Sequence, residues 1–376
     1  MVLVHGPQLY AIFAVVRVVL SDALARVVFP MVSTLSFQRF VSILLCFEVS
    51  NNSNISYYLG NWPPPLGIEY VIDKVSIIPI MIVSVIGLIA TLYAHNFFIL
   101  EIDKNLVSKT YSLWLLTIAG LMGLITTADA FNLFVFLEIS SLSAVALVAL
   151  GSKTDRKALI AGYNYLILGA VGATFYVIGV GFIYALTGSL NMGDIANRIP
   201  EAVGGPVLYV GFGFMVAGIL VKAAIFPVHI WLPAAYSYAP SAVSTLLASI
   251  ATKAALFVLA RILFTIFAGV PDVVTIVLSK IIIPLAIGGI FVGTIMAIYE
   301  ADIKKLFAHS SVAQIGYIAL GLGLGTPASV SAAFIHIGNH ALIKGGIFMA
   351  LGGFVAALGA RASLDSLIGI GRRLPL

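Results

Sequence analysis

Residues 220–261 read LVKAAIFPVHIWLPAAYSYAPSAVSTLLASIATKAALFVLAR, two apolar runs separated by Pro227, Pro233 and Pro240. Proline removes a backbone donor and clashes with the preceding turn, so this stretch predicts a helix broken inside an apolar region. Broken backbone at membrane depth is tolerated only where it is buried in protein or lines a wet cavity. A plain loop between two helices, with prolines in it, explains the same pattern, and both interpretations stay open.

The composition of the whole chain fits a membrane solvent. Of the 376 residues, 61% are hydrophobic and only 9% are charged, whereas soluble domains contain about 45–50% apolar and about 25% charged residues. So few charges would not cover a water-facing surface, which excludes a soluble enzyme, a disordered protein and a nucleic-acid binder. The single cysteine, Cys46, excludes an intrachain disulfide. Abundant glycine suits close packing between membrane helices.

Apolar runs long enough to span a bilayer recur along the chain. The sequence therefore predicts an all-α, polytopic membrane protein with about eleven spanning helices, at 8–28, 31–49, 76–98, 111–128, 130–150, 158–187, 206–226, 241–265, 273–299, 308–325 and 328–358. The segment 51–65, rich in turn formers, is expected to be a loop at the membrane surface with Trp62 as an aromatic anchor.

The basic residues set the expected orientation. With the N-terminus outside, Lys74 and Arg198 fall in outer loops, and granting Arg261 and Lys280 to the outer rim adds two more. The inner side receives eleven: Arg26, Lys104, Lys109, Lys153, Arg156, Lys157, Lys304, Lys305, Arg361, Arg372 and Arg373. Because cytoplasmic loops carry an excess of Lys and Arg, this predicts an N-terminus outside.

Two ionisable residues near the break are candidates for function. Glu138 lies well inside the fifth predicted span and Lys222 near the end of the seventh. A charge at the centre of a bilayer costs about 2.5–3.5 kcal/mol on insertion scales, so such residues are functional candidates by default. The two could form a switchable pair. The alternatives are a structural ion pair or a protonated, hydrogen-bonded carboxyl at Glu138, and a Lys222 side chain that extends to the membrane surface.

Lys253 lies near the centre of the eighth predicted span, too deep to reach the surface easily. His336, His340 and Lys344 follow one another at four-residue spacing and so share one helix face. Such a row of titratable groups suits a proton relay. Packing histidines with a snorkelling lysine are the alternative. No adjacent acidic residue, cysteine or third histidine supports a metal site, and no metal is expected.

His229, in the broken segment, and His309, at the start of the tenth predicted span, are weaker candidates that could equally be structural. Ser310, Ser311 and Gln314 add groups able to hold water. The sequence contains no P-loop, no dinucleotide-binding motif in a βαβ context and no C-x-x-C. No cofactor is therefore expected, and nucleotide-driven pumping and redox chemistry within the chain are both disfavoured.

The stretch 220–261 resembles the signature region of the antiporter-like membrane subunits of respiratory complex I and its relatives. YYLGNWPPPLGIEYVIDKVS (57–76) is most similar to the branch that contains the Mrp-type Na+/H+ antiporter subunit called D and membrane-bound hydrogenases. ADIKKLFAHSSVAQIGYI (301–318) and HIGNHALIKGGIFMALGG (336–353) also fit. The resemblance covers the chain from about residue 55 onward, and more loosely the part before it.

The resemblance implies roles for single residues. Glu138 matches the glutamate of the family's fifth helix, and Lys222 the lysine of its broken seventh helix, which pairs with that glutamate. Lys253 matches the central basic residue of the eighth. His336, His340 and Lys344 match the polar row of the eleventh. Together they resemble the half-channels and the hydrated central axis through which protons cross the membrane.

The chain departs from the family pattern at its end, where a second broken helix with an ionisable residue is expected after residue 370. We therefore expect a C-terminally truncated fold in three parts: 1–110 with an outer loop at 50–75, 111–265 with the broken helix at 220–240, and an incomplete unit at 273–376. The missing helices are expected from a separate membrane chain packed beside residues 273–358.

The sequence thus predicts a transport subunit with no active site of its own, in the plasma membrane of a prokaryote. Its expected partners are the lipid bilayer and other membrane subunits of a complex I-related assembly, and its cargo is protons, with sodium as a further cargo left open. The alternatives are a non-pumping scaffold and an inert part of a redox enzyme that contacts a quinone. Whether redox chemistry or an ion gradient drives transport also stays open.

Overall fold

The computed structural model of the protein describes residues 39–51, 54–202, 205–358 and 362–372. Those residues form a helical bundle with one short antiparallel hairpin of strands β1 (Ile55–Tyr58) and β2 (Glu69–Ile72). Residues 39–51 form helix α1. The other helices are α2 (Ile77–Glu101), α3 (Val107–Thr126), α4 (Ala130–Ala149), α5 (Lys157–Thr187), α6 (Met192–Arg198), α7 (Pro206–Lys222), α8 (Trp231–Tyr238), α9 (Ser241–Ile266), α10 (Pro271–Ile298), α11 (Ile303–Gly323) and α12 (Pro327–Leu358).

Eight of the described helices, all but α1, α6, α7 and α8, are long and apolar enough to cross a membrane. They correspond to eight of the nine spans predicted from residue 76 onward, and the shorter α7 corresponds to the ninth. The first predicted span, 8–28, lies outside the described residues, and α1 covers part of the second. The prediction of an all-α, multi-pass membrane protein is confirmed.

Close helix packing uses glycine, as the composition predicts. Where α5 crosses α7, a methyl group added at Gly179 would lie 2.6 Å from the Gly211 carbonyl oxygen, and one added at Gly172 would lie 3.0 Å from that of Gly218. Helices α10 and α11 approach in the same way, since a methyl group at Gly316 would lie 2.8 Å from the Ala286 carbonyl oxygen. In lipid no hydrophobic force drives helices together, so van der Waals contact between their backbones stabilises the packing.

The predicted break in the seventh span is present, but it begins earlier than the prolines. Helix α7 ends at Lys222, Ala224 has a positive φ of 55°, and helical structure resumes at Trp231 as α8. Ala223, Ala224 and Ile225 are all buried. The first part of the break therefore lies inside protein, as the membrane requires, whereas Pro227 and Ile230 in its second part are exposed. The span predicted at 206–226 is four residues too long, because in a continued helix the Pro227 ring would clash with the Ala223 carbonyl.

Helix α9 departs from α-helical geometry at two places that the sequence did not predict. Residues Leu247–Ala251 and Ile262–Ile266 form π-helical turns. A third π turn, Leu278–Ile282, lies in α10. A π turn contains about one residue more than an α-helical turn, because its backbone hydrogen bonds join residues five apart. Such turns occur frequently at functional sites. The first one ends two residues before Lys253.

The helix ends collect in two layers. One, called the basic layer, contains the α2–α3, α4–α5 and α10–α11 connections, with Lys153 paired to Asp103 at 3.2 Å and the Lys304 ammonium donating to the Ala239 carbonyl at 2.7 Å. The other, called the hairpin layer, contains β1, β2 and the opposite helix ends. The segment 51–65, expected to be a loop, contributes strand β1 to it.

The hairpin layer is tied to the helices by polar contacts. Strand β2 bridges to α3 through Tyr70 and Thr127, and the Asn191 amide donates to the Glu69 carboxylate at 2.7 Å. Next to β2, Asp73 forms an ion pair with Arg261 of α9. Burial opposes ionisation of Asp73, but the hydrogen bond and the positive charge of Arg261 more than offset it and hold the pKa of that carboxyl below its usual value. The hairpin therefore anchors the far end of α9.

Candidate functional site

Glu138 and Lys222 are brought together by α4 and the end of α7. The Lys222 ammonium lies 3.8 Å from a Glu138 carboxylate oxygen, which is at the limit of an ion pair. The same ammonium donates a shorter hydrogen bond, 2.6 Å, to the Ser141 hydroxyl, one turn further along α4. The Lys222 side chain is 6% exposed and that of Glu138 is 27% exposed. The lysine is thus held mainly by a neutral partner, which leaves its contact with the carboxylate loose.

The surroundings leave the Lys222 side chain room to move. On the α5 side, Gly169 presents no side chain, and a methyl group there would lie 3.6 Å from the ammonium. On the other side is a small cavity of about 30 Å³, lined by Ser140 and Ser141 of α4, Lys222 itself and the α9 residues Ala251 and Ala255. Most of its lining is apolar, including Leu121, Leu124 and Leu137, and Ser140, Ser141 and Lys222 supply polar groups. A cavity of this size can hold one water molecule where such polar groups reach it. The cavity connects the end of α7 with α9, two residues from Lys253.

Lys253 is fully buried, at 1% exposure, in the middle of α9. Its ammonium donates to the Ala248 carbonyl, which belongs to the π turn that precedes it. Within the described residues, no carboxylate forms an ion pair with it. A backbone carbonyl offers a dipole but no countercharge, so the lysine is held at this depth without neutralisation.

Helix α12 presents the predicted row toward α9 and α11. His340 and Lys344 are buried, and His336 is partly buried. The His336 and His340 rings lie 6.1 Å apart, His336 hydrogen-bonds the Gln314 side chain at 2.8 Å, and Lys344 donates to the Phe307 carbonyl at 2.9 Å. Both ring nitrogens of His340 lack a partner among the described residues. Buried polar groups of that kind require water.

Lys253 and this row act on one another electrostatically. The charge of Lys344 acts on Lys253, and the charge of Lys253 acts on both His336 and His340. The structure therefore joins α9 and α12 into one cluster of four titratable groups. It also places no three His, Cys, Asp or Glu side chains together, in the described part of the chain, in a way that could hold a metal ion.

His229 and His309 form a separate pair. Both are buried, and they are close enough for His229 to act electrostatically on His309. Glu300 and Lys305, paired at 2.6 Å in the basic layer, also act on His309. The two histidines thus lie between the break after α7 and the basic layer. No contact in the described residues joins them to Lys253.

Three contacts of the site were missed by the sequence analysis: the Ser141 hydroxyl beside Lys222, the Ala248 carbonyl beside Lys253 and the Phe307 carbonyl beside Lys344. Ser141 could have been found, because it lies three residues after Glu138 and so shares its helix face. Backbone carbonyls carry no signal in the sequence, since every residue has one. Gln314, noted only as a group able to hold water, is the direct partner of His336.

Comparisons with known proteins show which family shares this sequence and fold. The NADH-quinone oxidoreductase subunit called N, from Desulforudis audaxviator, is 42% identical over 320 residues, covering 85% of this chain and 62% of that protein. The Na(+)/H(+) antiporter subunit called D, from Bacillus subtilis, is 32% identical over 325 residues, with the same two coverages. A chain of the membrane-bound sulfane sulfur reductase, an archaeal respiratory membrane complex, superposes with a TM-score of 0.89 at 32% identity, covering 100% of this chain and 74% of that one.

The chain spans 62% of the length of these two curated relatives. Residues 127–376, about two thirds of the chain, match the transmembrane family described as NADH:quinone oxidoreductase/Mrp antiporter. That match includes every candidate residue from Glu138 to Lys344. The protein is therefore a multi-pass membrane protein that belongs to the NADH:quinone oxidoreductase/Mrp antiporter transmembrane family.

Proposed function

We propose that the chain is a proton-translocating, antiporter-like subunit of a multisubunit membrane complex related to complex I and Mrp antiporters. The observation that carries this proposal is the set of buried lysines, Lys222, Lys253 and Lys344, placed on three different helices with a single carboxylate, Glu138, at one end. The names of the relatives, subunits of an NADH-quinone oxidoreductase and of Na+/H+ antiporters, support the same function.

The energetic cost of the lysines supports a functional role. Each charge at membrane depth costs about 2.5–3.5 kcal/mol on insertion scales. Lys253 and Lys344 are offset by backbone carbonyls together with, for Lys253, the Thr252 hydroxyl at 3.5 Å and, for Lys344, the face of the Phe307 ring at 5.4 Å. Apolar side chains of similar size would pack there at lower cost. A change in the protonation of these lysines during the transport cycle would explain why titratable amines occupy these positions.

The first step of the mechanism is a movement of Lys222. With Glu138 ionised and close, Lys222 stays on α4; when the pair weakens, its ammonium is free to turn into the cavity that reaches α9. A positive charge brought to about 4 Å of another raises the energy by about 4 kcal/mol at an effective dielectric constant of 20. Moving one charge against 100 mV costs about 2.3 kcal/mol. Repulsion at that distance would therefore exceed the cost of moving one charge against 100 mV and would favour release of a proton from Lys253.

The second step is the transfer of that proton to α12. Lys253 passes its proton toward His340, whose two unpaired ring nitrogens can accept and release one through water. The stacked His336 and the buried Lys344 extend the route along α12 in both directions. The separate pair of His229 and His309 has no described contact with this route, and we assign it no step.

We propose that the basic layer faces the cytoplasm of a prokaryotic cell and that the N-terminus is outside. Support comes from Lys104, Lys153, Lys304 and Lys305, which gather in the basic layer, while the hairpin layer contains Lys74 and Arg198. Positive loops are retained on the cytoplasmic side.

Cysteine labelling tests the orientation in a Cys46→Ser background. A cysteine at residue 155 of the basic layer is expected to react with an impermeant thiol reagent only from the cytoplasmic side. A cysteine at Trp62, 64% exposed in the hairpin layer, should react only from outside. Labelling of residue 155 from outside would overturn the orientation.

We also propose that a membrane helix of a neighbouring subunit, carrying an intramembrane Lys or Glu, packs on α12 at His336 and Asn339. Asn339 is exposed on α12, twelve residues from Pro327, which is about 18 Å along the helix axis and near the middle of a bilayer. Lipid offers no partner to an amide at that depth, so another helix must.

A photo-crosslinking amino acid at Asn339, in the intact complex, should yield a protein adduct of this chain with a second membrane subunit. Ile178 on α5, whose exposed surface is apolar, provides the matched control and should yield chiefly lipid adducts. Lipid adducts alone at residue 339 would contradict the neighbouring helix.

Substitutions of Glu138 and Lys253 test the transport function. Glu138→Gln removes the charge that holds Lys222, and Lys253→Ala removes the group that passes the proton. Each is expected to lower the rate of proton translocation in membrane vesicles by at least about a hundredfold, since positioned proton-transfer groups contribute on that order. Both variants should assemble normally. A near wild-type rate in Glu138→Gln would remove the carboxylate from the mechanism, and near wild-type rates in both variants would support a non-pumping scaffold.

A further inference from the structure

Between Lys253 and the hairpin layer, α9 carries no polar side chain over two helical turns. Residues 254–260 read AALFVLA, and each of them is at most 4% exposed. The next polar residue is Arg261, eight residues beyond the lysine, which is about 12 Å along the helix axis. Buried apolar side chains of α9 therefore separate the Lys253 ammonium from the hairpin layer.

Two aromatic rings fill this interval between α9 and α12. Phe257, one helical turn beyond Lys253, contacts Phe334 edge to face, with ring centroids 6.4 Å apart and ring planes at 85°. The two residues are 1% and 8% exposed. Because α12 begins in the hairpin layer, Phe334 lies on the hairpin-layer side of His336, which follows it by two residues. The two rings thus separate both Lys253 and the row on α12 from the hairpin layer.

The ion pair of Arg261 and Asp73 lies beyond the rings. The Arg261 guanidinium lies 5.0 Å from the centre of the Phe257 ring and donates two hydrogen bonds to the Asp73 carboxylate. The Ser76 backbone N–H donates to the same carboxylate at 2.9 Å. Lys253, Phe257 and Arg261 follow one another at four-residue spacing and so share one face of α9. Along that face, a ring and then an ion pair cover the lysine.

Neither partner of this ion pair is suited to pass a proton. The guanidinium of arginine does not deprotonate in proteins, and Arg261 holds the pKa of Asp73 below its usual value, so the carboxylate stays ionised. In membrane pores an arginine also acts as an electrostatic barrier to protons and cations. The series of titratable groups that includes Lys253 therefore ends at the rings and does not continue to Arg261.

We infer that Phe257, Phe334, Arg261 and Asp73, together called the seal, prevent protons from passing along α9 between Lys253 and the hairpin layer. A proton that Lys253 releases is then directed across to α12. Without the seal, the lysine would exchange protons with water on both sides of the membrane, and the proton gradient would dissipate. The inference rests on the proposed function, in which Lys253 releases a proton during the cycle.

A purely structural role would give the same contacts, since the ion pair also anchors the hairpin and the rings also pack α9 against α12. The two roles differ in what happens when the rings are removed. Loosened packing alone gives no path that depends on Lys253. An opened seal gives a proton leak that requires the lysine, and this dependence is the readout that separates the two roles.

The test measures how fast an imposed pH gradient decays across membrane vesicles that contain the intact complex without its driving reaction. Phe257→Ala should speed the decay by at least about tenfold, because water in place of the ring lowers the cost of a charge at that depth. The matched control is Phe267→Ala, which should decay at the wild-type rate. Phe267 is equally buried and packs against Phe212 of α7 at 4.3 Å, away from α12.

A second substitution shows whether the leak passes through Lys253. Lys253→Met keeps an unbranched side chain but has no group that binds a proton, so adding it to Phe257→Ala should return the decay to the wild-type rate. Phe334→Ala removes the other ring of the seal and is the second variant if Phe257→Ala does not assemble.

The outcomes separate the seal from the function it rests on. A leak that persists after Lys253→Met is added, or an equal leak in Phe267→Ala, would assign the rings a packing role and contradict the seal. Wild-type decay in the assembled ring variants, with translocation lost in Lys253→Ala, would overturn the seal and leave the proposed function intact. Translocation at the wild-type rate in Lys253→Ala would overturn both.

Discussion

The desolvation of three lysine ammonium groups is the constraint on which the rest of this structure depends. A charge removed from water must be offset by ions, dipoles or hydrogen bonds, and the bundle offers each lysine a different combination. Lys222 has a hydroxyl at 2.6 Å and a carboxylate at 3.8 Å, whereas Lys253 and Lys344 have backbone carbonyls. The lysine with a charged partner within reach is thus the one beside a cavity into which it can turn.

The backbone of the bundle is adapted to those lysines. A carbonyl in a regular helix keeps a second lone pair and can accept a side-chain donor, as the Phe307 carbonyl of α11 does from Lys344. Near the other two lysines the backbone departs from the regular helix, with a π turn before Lys253 and a break after Lys222. In lipid these interruptions would be costly, and the π turn and the first residues of the break are buried in protein. The glycine contacts between α5 and α7 bring helices close enough to provide that cover.

Much of this architecture follows from the sequence, because apolar run length, proline position and isolated charges act locally. These local features predict the spans from residue 76 onward and the break near Pro227. They also indicate Lys222, Lys253 and the row on α12 as candidate site residues. The contacts that place those groups are long-range. Ser141 and Lys222 are 81 residues apart, and Asp73 and Arg261 are 188 apart. No local pattern predicts them, and π turns and carbonyl acceptors leave no composition signal at all.

Lys253→Arg is the substitution that tests the central claim most directly, that Lys253 works by releasing a proton. Arginine retains the positive charge and a long donor side chain, but it does not deprotonate in proteins. Proton translocation by the intact complex in vesicles, measured alongside assembly, is predicted to be lost in Lys253→Arg as completely as in Lys253→Ala. Translocation near the wild-type rate in the assembled Lys253→Arg complex would show that a fixed charge is sufficient and would contradict the account.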